Sequence, residues 1–185
     1  MLQWLSKLIL KMWGIRVSGT IPHDLKKKIY VVVPHTSNWD FPLGILINWA
    51  EKLKVNYIAK ASLFKPPFGW IFKALGGIPV DRKNSTNFVR NIAEKVKNID
   101  EVALVIAPEG TRKKVEKLKS GYYYIAKQAG IPIIPVKFDY ENHEVNFGKP
   151  YYVTDNEQND LKYFDDYYKN VLGINPKNSF GYTGK

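Results

Sequence analysis

The chain contains no cysteine, which excludes disulfides, thiolate metal sites and cysteine nucleophiles. It also lacks a Gly-x-Ser-x-Gly elbow, a Walker-type phosphate loop and a Gly-x-Gly-x-x-Gly turn. Of its three histidines, His23 and His143 lie far apart without metal-ligand spacing, so we expect no metal site. These absences remove several common kinds of catalytic and nucleotide-binding site from consideration.

Long apolar runs are absent too, since no segment reaches the roughly 18–20 apolar residues of a membrane-spanning helix. Residues 1–14 lack the positive start and small-residue cleavage site of a secretory signal. They instead have the pattern of an amphipathic helix, with one apolar stripe that leaves Lys7 and Lys11 outside it: Leu2, Leu5, Leu8, Ile9, Met12 and Trp13. This pattern fits a helix lying on a membrane surface, and equally a helix packed on the domain.

Positive charge is abundant and unevenly placed, with a formal net charge of +11. Lysine and arginine outnumber acidic residues by twelve to four in residues 1–82 and by eleven to five in residues 83–138. The order reverses in residues 139–185, with five basic and eight acidic residues. The asymmetry favours a face directed at an anionic partner: lipid headgroups, nucleic acid or phosphorylated substrates.

The 185 residues suit one domain, which we place at residues 1–172, followed by a loop-like tail at 173–185. Apolar runs predict strands at 29–33, 55–59, 78–80, 102–107 and 131–138, with a weaker one in 144–153. Helical patterns cover 1–13, 40–53, 67–75, 85–99, 120–129 and 157–172. The alternation predicts an α/β fold, with a mostly parallel or mixed central sheet covered by helices on both faces.

Two further details of this pattern are testable. Gly130 is placed to end the 120–129 helix. Pro132 and Pro135 lack donors for a regular ladder, so we expect the 131–138 strand at an edge of the sheet, or irregularly paired.

Polar clusters follow three of the predicted strands. His35 and Asp40 follow 29–33, Arg82 follows 78–80, and Arg112 follows 102–107. Because parallel strands end at one edge of a sheet, one histidine and two arginines should converge on a single cleft. Taken singly, the histidine suits a structural role, and each arginine suits a solvated surface position.

These residue types suggest a chemistry. Imidazole can remove a hydroxyl proton near neutral pH, with a carboxylate fixing its tautomer. Guanidinium forks bind phosphate in a bidentate manner. The expected reaction is therefore transfer to, or hydrolysis by, a hydroxyl on an anionic substrate.

The motifs together resemble the glycerolipid acyltransferase family of the 1-acyl-glycerol-3-phosphate type. His35 and Asp40 match its His-x-x-x-x-Asp block, and the run 77–82 matches its block ending in arginine. Residues 108–112 match Pro-Glu-Gly-Thr-Arg in full, and 131–136 match its proline-containing apolar strand. The stretch 59–70 also follows the family pattern, so the likeness extends over residues 17–138.

The resemblance implies an enzyme that moves a fatty acyl group from acyl-CoA or acyl-carrier protein to the hydroxyl of a lysolipid in phospholipid biosynthesis. It implies His35 as general base and Asp40 as the group that orients it. Substrate binding would fall to Arg82, Glu109, Gly110, Thr111, Arg112 and Lys60. Neither metal nor cofactor is implied, and the protein would be peripheral on the cytoplasmic side of an anionic membrane.

The chain also departs from larger family members. It lacks an obvious pair of membrane-spanning helices, its 113–120 loop is brief and basic, and the region after Tyr140 matches no family motif. The acceptor therefore stays open between lysophosphatidate, another lysophospholipid and a lyso-aminolipid. A non-catalytic membrane-surface protein of this fold is a further alternative. A nucleic-acid-binding module would explain the charge, but the sequence has no RNA-recognition signature, and we expect no nucleic-acid partner.

Overall fold

A computed structural model describes residues 2–80 and 85–184. Within these residues the strands are β1 (Arg16–Gly19), β2 (Lys27–Val33), β3 (Asn56–Lys60), β4 (Gly77–Val80), β5 (Val102–Ile106), β6 (Ile133–Asp139) and β7 (Glu144–Phe147). The α-helices are α1 (Leu2–Met12), α2 (Asp40–Ala50), α3 (Gly69–Ala74), α4 (Ser85–Asn98), α5 (Gly121–Ala129) and α6 (Glu157–Tyr168). Short 3-10 helices cover Ala61–Phe64 and Pro176–Asn178.

The described strands form one sheet in the order β1-β7-β6-β2-β5-β3-β4. Strands β2 to β6 run parallel, whereas β7 is antiparallel to β6 and β1 is parallel to β7. The prediction of a mixed α/β sheet in a single domain is confirmed. β1 was not predicted, because its four residues, Arg-Val-Ser-Gly, carry little apolar signal.

Helices cover both faces of the sheet, as expected. Ile29, Val31 and Val33 of β2 point into a core that also contains buried residues of α4, α5 and α6. Tyr30 points to the other face, where it shares a core with buried residues of α1 and α2. A strand buried on both sides needs apolar residues at every position, which explains the unbroken run in β2.

Of the two alternatives for β6, the edge position is wrong, because the strand lies inside the sheet. The irregular pairing is found, since the ladder to β7 stops at Val136. β6 pairs with β2 on one side and β7 on the other. Pro132 precedes the strand, and Pro135 lies just beyond the last β7 pairing, at Val136. The Pro135 carbonyl accepts the Gly148 N–H at 2.8 Å. Both prolines therefore fall where the β7 ladder needs no donor, which allows an interior strand.

The C-terminal segment is also more ordered than a loop-like tail. Asn175 donates its backbone N–H to Thr36 Oγ1 at 3.1 Å and its side-chain amide to the Thr36 carbonyl at 2.8 Å. The Gly173 N–H bonds to the buried Ser179 hydroxyl, and Phe180 is buried. A Cβ on Gly173 would lie 2.4 Å from Thr36 Oγ1, so only glycine allows this approach. Residues 173–180 therefore brace the loop that follows β2.

α5 ends as predicted, with Gly130 in the left-handed conformation (φ +67°) at its C-cap. α1 is present as predicted. Ser6 and Leu10 face the domain, and Gln3 donates to the Ala50 carbonyl of α2. Most of the predicted apolar stripe faces outward. No helix in the described ranges, 2–80 and 85–184, has the length and apolar character to cross a bilayer.

Candidate active site

The carboxyl ends of the parallel strands bring the predicted site residues to one edge of the sheet. His35 follows β2, and Glu109 and Arg112 follow its neighbour β5. Lys60 is the last residue of β3, the next strand along. Arg82 follows β4 in sequence but lies outside the described residues. This is the edge at which open α/β sheets bind their ligands.

His35 and Asp40 form a direct pair, with His35 Nδ1 3.1 Å from Asp40 Oδ2. The same carboxylate oxygen accepts the Ser37 N–H at 2.8 Å. Asp40 opens α2, where the helix dipole favours a carboxylate. Its side chain is 3% exposed, whereas that of His35 is 26% exposed. The imidazole therefore reaches solvent while its partner is fixed inside the protein.

Glu109 is buried and contacts the backbone of His35. Its Oε2 accepts the backbone N–H of His35 at 2.6 Å. Burial raises the pKa of Glu109 to about 8, the His35 N–H opposes that rise, and the charge of Asp40 adds to it. This carboxyl holds the backbone of His35 in place. Any effect of Glu109 on substrate binding would therefore be indirect, through the position of His35.

The three residues after Glu109 shape the turn beyond β5. Gly110 has φ +64°, a left-handed backbone conformation that residues with a Cβ rarely adopt, so the turn favours glycine. Thr111 is half-buried and its hydroxyl accepts the Lys113 N–H. Arg112 is exposed, as is Lys60. The basic side chains at this edge are thus accessible to an anionic ligand.

An open apolar cleft of about 740 Å³ adjoins the pair. Its lining includes side chains from four separate parts of the chain: Trp13, Trp39, Tyr140, Leu172, Ile174 and Pro176. Tyr140 follows β6, and its backbone N–H donates to the Leu172 carbonyl at 2.9 Å. The sequence contained no motif for this cleft. Only the position of Tyr140 at the end of a strand beside β2 could have drawn attention to it.

Within the part of the chain that the structure describes, no group of three or more histidine, aspartate or glutamate side chains is arranged to hold a metal ion. The arrangement can do two things chemically. His35, held at Nδ1 by Asp40, can take a proton at its other ring nitrogen. The exposed arginine and lysine can hold an anion nearby. An α/β protein with such a site is suited to general-base chemistry on an anionic substrate.

Comparison with known proteins identifies the family. Residues 14–139 match the sequence model of the family described as Acyltransferase, so the chain belongs to that family. The 1-acyl-sn-glycerol-3-phosphate acyltransferase of Haemophilus influenzae is 29% identical over 156 residues, covering 80% of this chain and 63% of that protein. The probable enzyme of the same name from Mycoplasma pneumoniae is 33% identical over 141 residues, covering 71% and 52%.

Solved structures agree on the fold. The chain matches the crystal structure of the 1-acyl-sn-glycerophosphate acyltransferase PlsC from Thermotoga maritima with a TM-score of 0.62 and 23% identity, covering 90% of this chain and 74% of that one. The resemblance to glycerolipid acyltransferases is confirmed. The chain spans 63% and 58% of the length of the Haemophilus influenzae and Escherichia coli relatives that it matches.

Raising the pH should weaken folding because of Glu109. An unfolded glutamate ionises near pH 4.3, whereas burial raises the pKa of Glu109 in the fold to about 8. Between these values the folded state binds more protons, so the free energy of unfolding falls as pH rises. Glu109→Gln keeps an acceptor for the His35 N–H without titrating. Between about pH 5 and about pH 8, the free energy of unfolding should therefore decrease less in this variant than in wild type, by on the order of a few kcal/mol.

Urea unfolding of both proteins at about pH 5 and about pH 8 measures this difference. Glu116→Gln is the matched control, because the Glu116 side chain is 91% exposed and should leave the pH dependence unchanged. The same loss of stability in wild type and Glu109→Gln would contradict the assignment.

Proposed function

We propose that this protein transfers a fatty acyl group from acyl-CoA or acyl-carrier protein to the hydroxyl of a lysolipid such as 1-acyl-glycerol-3-phosphate, with His35 as general base. The observation that carries the proposal is the His35–Asp40 pair at 3.1 Å, within the matched family region. The names of the relatives support the acceptor.

In the proposed reaction the acceptor hydroxyl gives its proton to Nε2 of His35, the ring nitrogen that does not face Asp40. Its oxygen attacks the thioester carbonyl, so that a C–O bond forms and the C–S bond breaks. The departing thiolate takes the proton back from His35. Asp40 holds the Nδ1–H tautomer and stabilises the imidazolium while the proton is on the ring. Because the acceptor oxygen is the nucleophile, no acyl-enzyme forms.

His35→Ala should lower the turnover number by about 10²–10⁴-fold, the usual contribution of a general base. The thioester donor should still bind, because the missing imidazole acts on the acceptor hydroxyl. The measurement is release of free thiol in the presence of lysophosphatidate vesicles, with separate titration of donor and acceptor. His23→Ala is the control, since that exposed histidine lies outside the site. Turnover of His35→Ala within a few fold of wild type would remove His35 as the base.

The acceptor headgroup would be held by the basic edge of the site. Arg112 lies three residues beyond Glu109, whose carboxyl contacts the His35 backbone, so the turn links an exposed guanidinium to the proposed base. A guanidinium fork suits a phosphate monoester, and it also binds a carboxylate. Arg82 and Lys60 would supply further positive charge. The same residues could therefore serve lysophosphatidate or a lyso-aminolipid with an anionic headgroup.

Arg112→Ala should raise the KM for lysophosphatidate by about tenfold or more, because a charge-assisted bond to phosphate is lost. The KM for the thioester should change much less. Initial rates with each substrate varied in turn provide the test, and Lys113→Ala serves as a neighbouring exposed control. Equal losses for donor and acceptor would count against the headgroup role, and a selective loss with a carboxylate acceptor alone would point to a lyso-aminolipid.

The apolar cleft would hold the hydrocarbon part of a substrate. Trp39 lies next in sequence to Asp40, so the cleft adjoins the proposed base. Its volume of about 740 Å³ lies within the range of pockets that accept small organic ligands. Trp13 and Trp39 meet edge to face, with ring centres 6.2 Å apart, and form an apolar wall.

α1 supports contact with a membrane surface. Its inward side carries Ser6 and Gln3, while large apolar side chains face solvent. The outward set is Leu2, Trp4, Leu5, Leu8 and Met12, with Trp4 69% and Met12 80% exposed. A helix packed only on its domain would place these groups inward. Facing outward, they can enter the interfacial region of a bilayer.

A second outward surface lies between the end of β3 and the end of α3. Leu63, Phe68, Trp70 and Ile71 are exposed there, and Trp70 is 69% exposed. Residues 52–80 contain five lysines and no aspartate or glutamate. Phe41 of α2 packs on Phe72, which ties this surface to the helix that begins at Asp40. Aromatic side chains among lysines, without carboxylates, suit an anionic lipid surface.

Removing the exposed aromatic residues should weaken vesicle binding. Trp4→Ala with Met12→Ala, and separately Phe68→Ala with Trp70→Ala, should each lower partitioning onto anionic vesicles by about tenfold, because each pair removes apolar area that the bilayer would bury. Vesicle sedimentation measures the partitioning, and Ile99→Ala, an exposed apolar residue of another segment, is the control. Unchanged binding of both double variants would contradict membrane contact through these surfaces.

A further inference from the structure

The Asp40 carboxylate is only half satisfied by the groups described so far. Its Oδ2 accepts from Ser37 and contacts His35. Its Oδ1 is buried and, among the described residues, has no hydrogen-bond partner of ordinary distance and angle. A buried carboxylate oxygen without a donor is costly, so native structures rarely leave one.

Tyr140 presents the complementary group. Its hydroxyl is buried and likewise has no partner of ordinary geometry among residues 2–80 and 85–184. Burial raises the pKa of Tyr140, and the charge of Asp40 raises it further. Four buried side-chain oxygens of the described residues lack such a hydrogen-bond partner, and the other two are the Tyr30 hydroxyl and Glu109 Oε1. Asp40 Oδ1 and the Tyr140 hydroxyl belong to side chains that interact electrostatically. One is a donor, and the other is an acceptor.

The fold places these two side chains near each other. Tyr140 follows β6, which pairs directly with β2, and His35 follows β2. The backbone N–H of Tyr140 donates to the Leu172 carbonyl, which ties the backbone carrying this ring to the C-terminal segment. The raised pKa keeps the phenol protonated at every pH at which an enzyme works, so it remains a donor.

We propose that Tyr140 is a positioning residue of the active site, whose hydroxyl donates to Asp40 Oδ1 and fixes the carboxylate against His35. The proposal rests on the proposed function for its kinetic consequence. With both oxygens held, the carboxylate cannot rotate away from the imidazole. The ionisable groups around His35 are then Asp40 from α2, Glu109 from the turn after β5 and Tyr140 from the end of β6.

Tyr140→Phe removes one oxygen and keeps the ring that lines the cleft. It should lower kcat by about tenfold, the effect of losing a hydrogen bond to a charged group, and leave both KM values within about twofold. Without the phenol the carboxylate can rotate away and hold an imidazolium less strongly, so the acid limb of the pH–rate profile should move to lower pH. A purely structural role would lower the active fraction without moving this limb.

Tyr30→Phe is the matched control. The Tyr30 hydroxyl is also buried without a partner of ordinary geometry in the described chain, and its ring packs in the core that contains α1 and α2. Its removal should leave kcat and the pH profile unchanged. Equal effects of Tyr30→Phe and Tyr140→Phe would overturn the proposal.

A double-mutant cycle separates the contact from the chemistry. In an Asp40→Asn background, Tyr140→Phe should cost far less in kcat than in wild type, because the charged acceptor is gone. The same cycle in urea unfolding should show non-additive midpoints, whether or not the protein transfers acyl groups. Additive effects in both cycles would overturn the proposal. Coupling in unfolding, with no transfer by wild type, would keep the contact and refute the proposed function.

Discussion

The site depends on one carboxylate oxygen, Asp40 Oδ2, which lies 2.8 Å from the Ser37 N–H and 3.1 Å from His35 Nδ1. Because Asp40 is the first residue of α2, this contact joins the end of β2 to the start of that helix. A spacing of five residues would separate two side chains on a regular helix, but here the chain turns between them. The two contacts of Asp40 Oδ2 therefore fix the local turn, the start of α2 and the orientation of His35 together.

The surrounding protein is built to hold this arrangement in place. Glu109 accepts a hydrogen bond from the His35 backbone, and Asn175 in the 173–180 segment donates two hydrogen bonds to Thr36. Burying carboxyl groups opposes folding, and the raised pKa of Glu109 is the sign of that cost. The same buried carboxyl groups hold the proposed base in a fixed position. A base held in this way needs no reorganisation when a substrate binds, which favours catalysis.

The sequence predicted the parts of this site that are local in the chain. His35 and Asp40 lie within one turn, and the α/β alternation is set by periodicity that each segment carries by itself. Three features depend on distant partners and were not predictable in this way. β6 is interior only because β7 covers it, and Tyr140 reaches Asp40 only through the pairing of β6 with β2. The choice between the two alternatives for α1 depends on its contact with α2, where Gln3 donates to Ala50. Arg82 stays a prediction, because it lies outside the described residues.

The central claim is that the lysolipid hydroxyl itself attacks the thioester, assisted by His35. The most direct measurement is mass spectrometry of both lipid and intact protein, first with a thioester donor alone and then with lysophosphatidate vesicles added. Direct transfer to the acceptor should give a diacyl product after the second addition and an unchanged protein mass throughout. A covalently acylated protein that passes its acyl group to the added acceptor would contradict it, and so would the absence of diacyl product with both acyl-CoA and acyl-carrier protein.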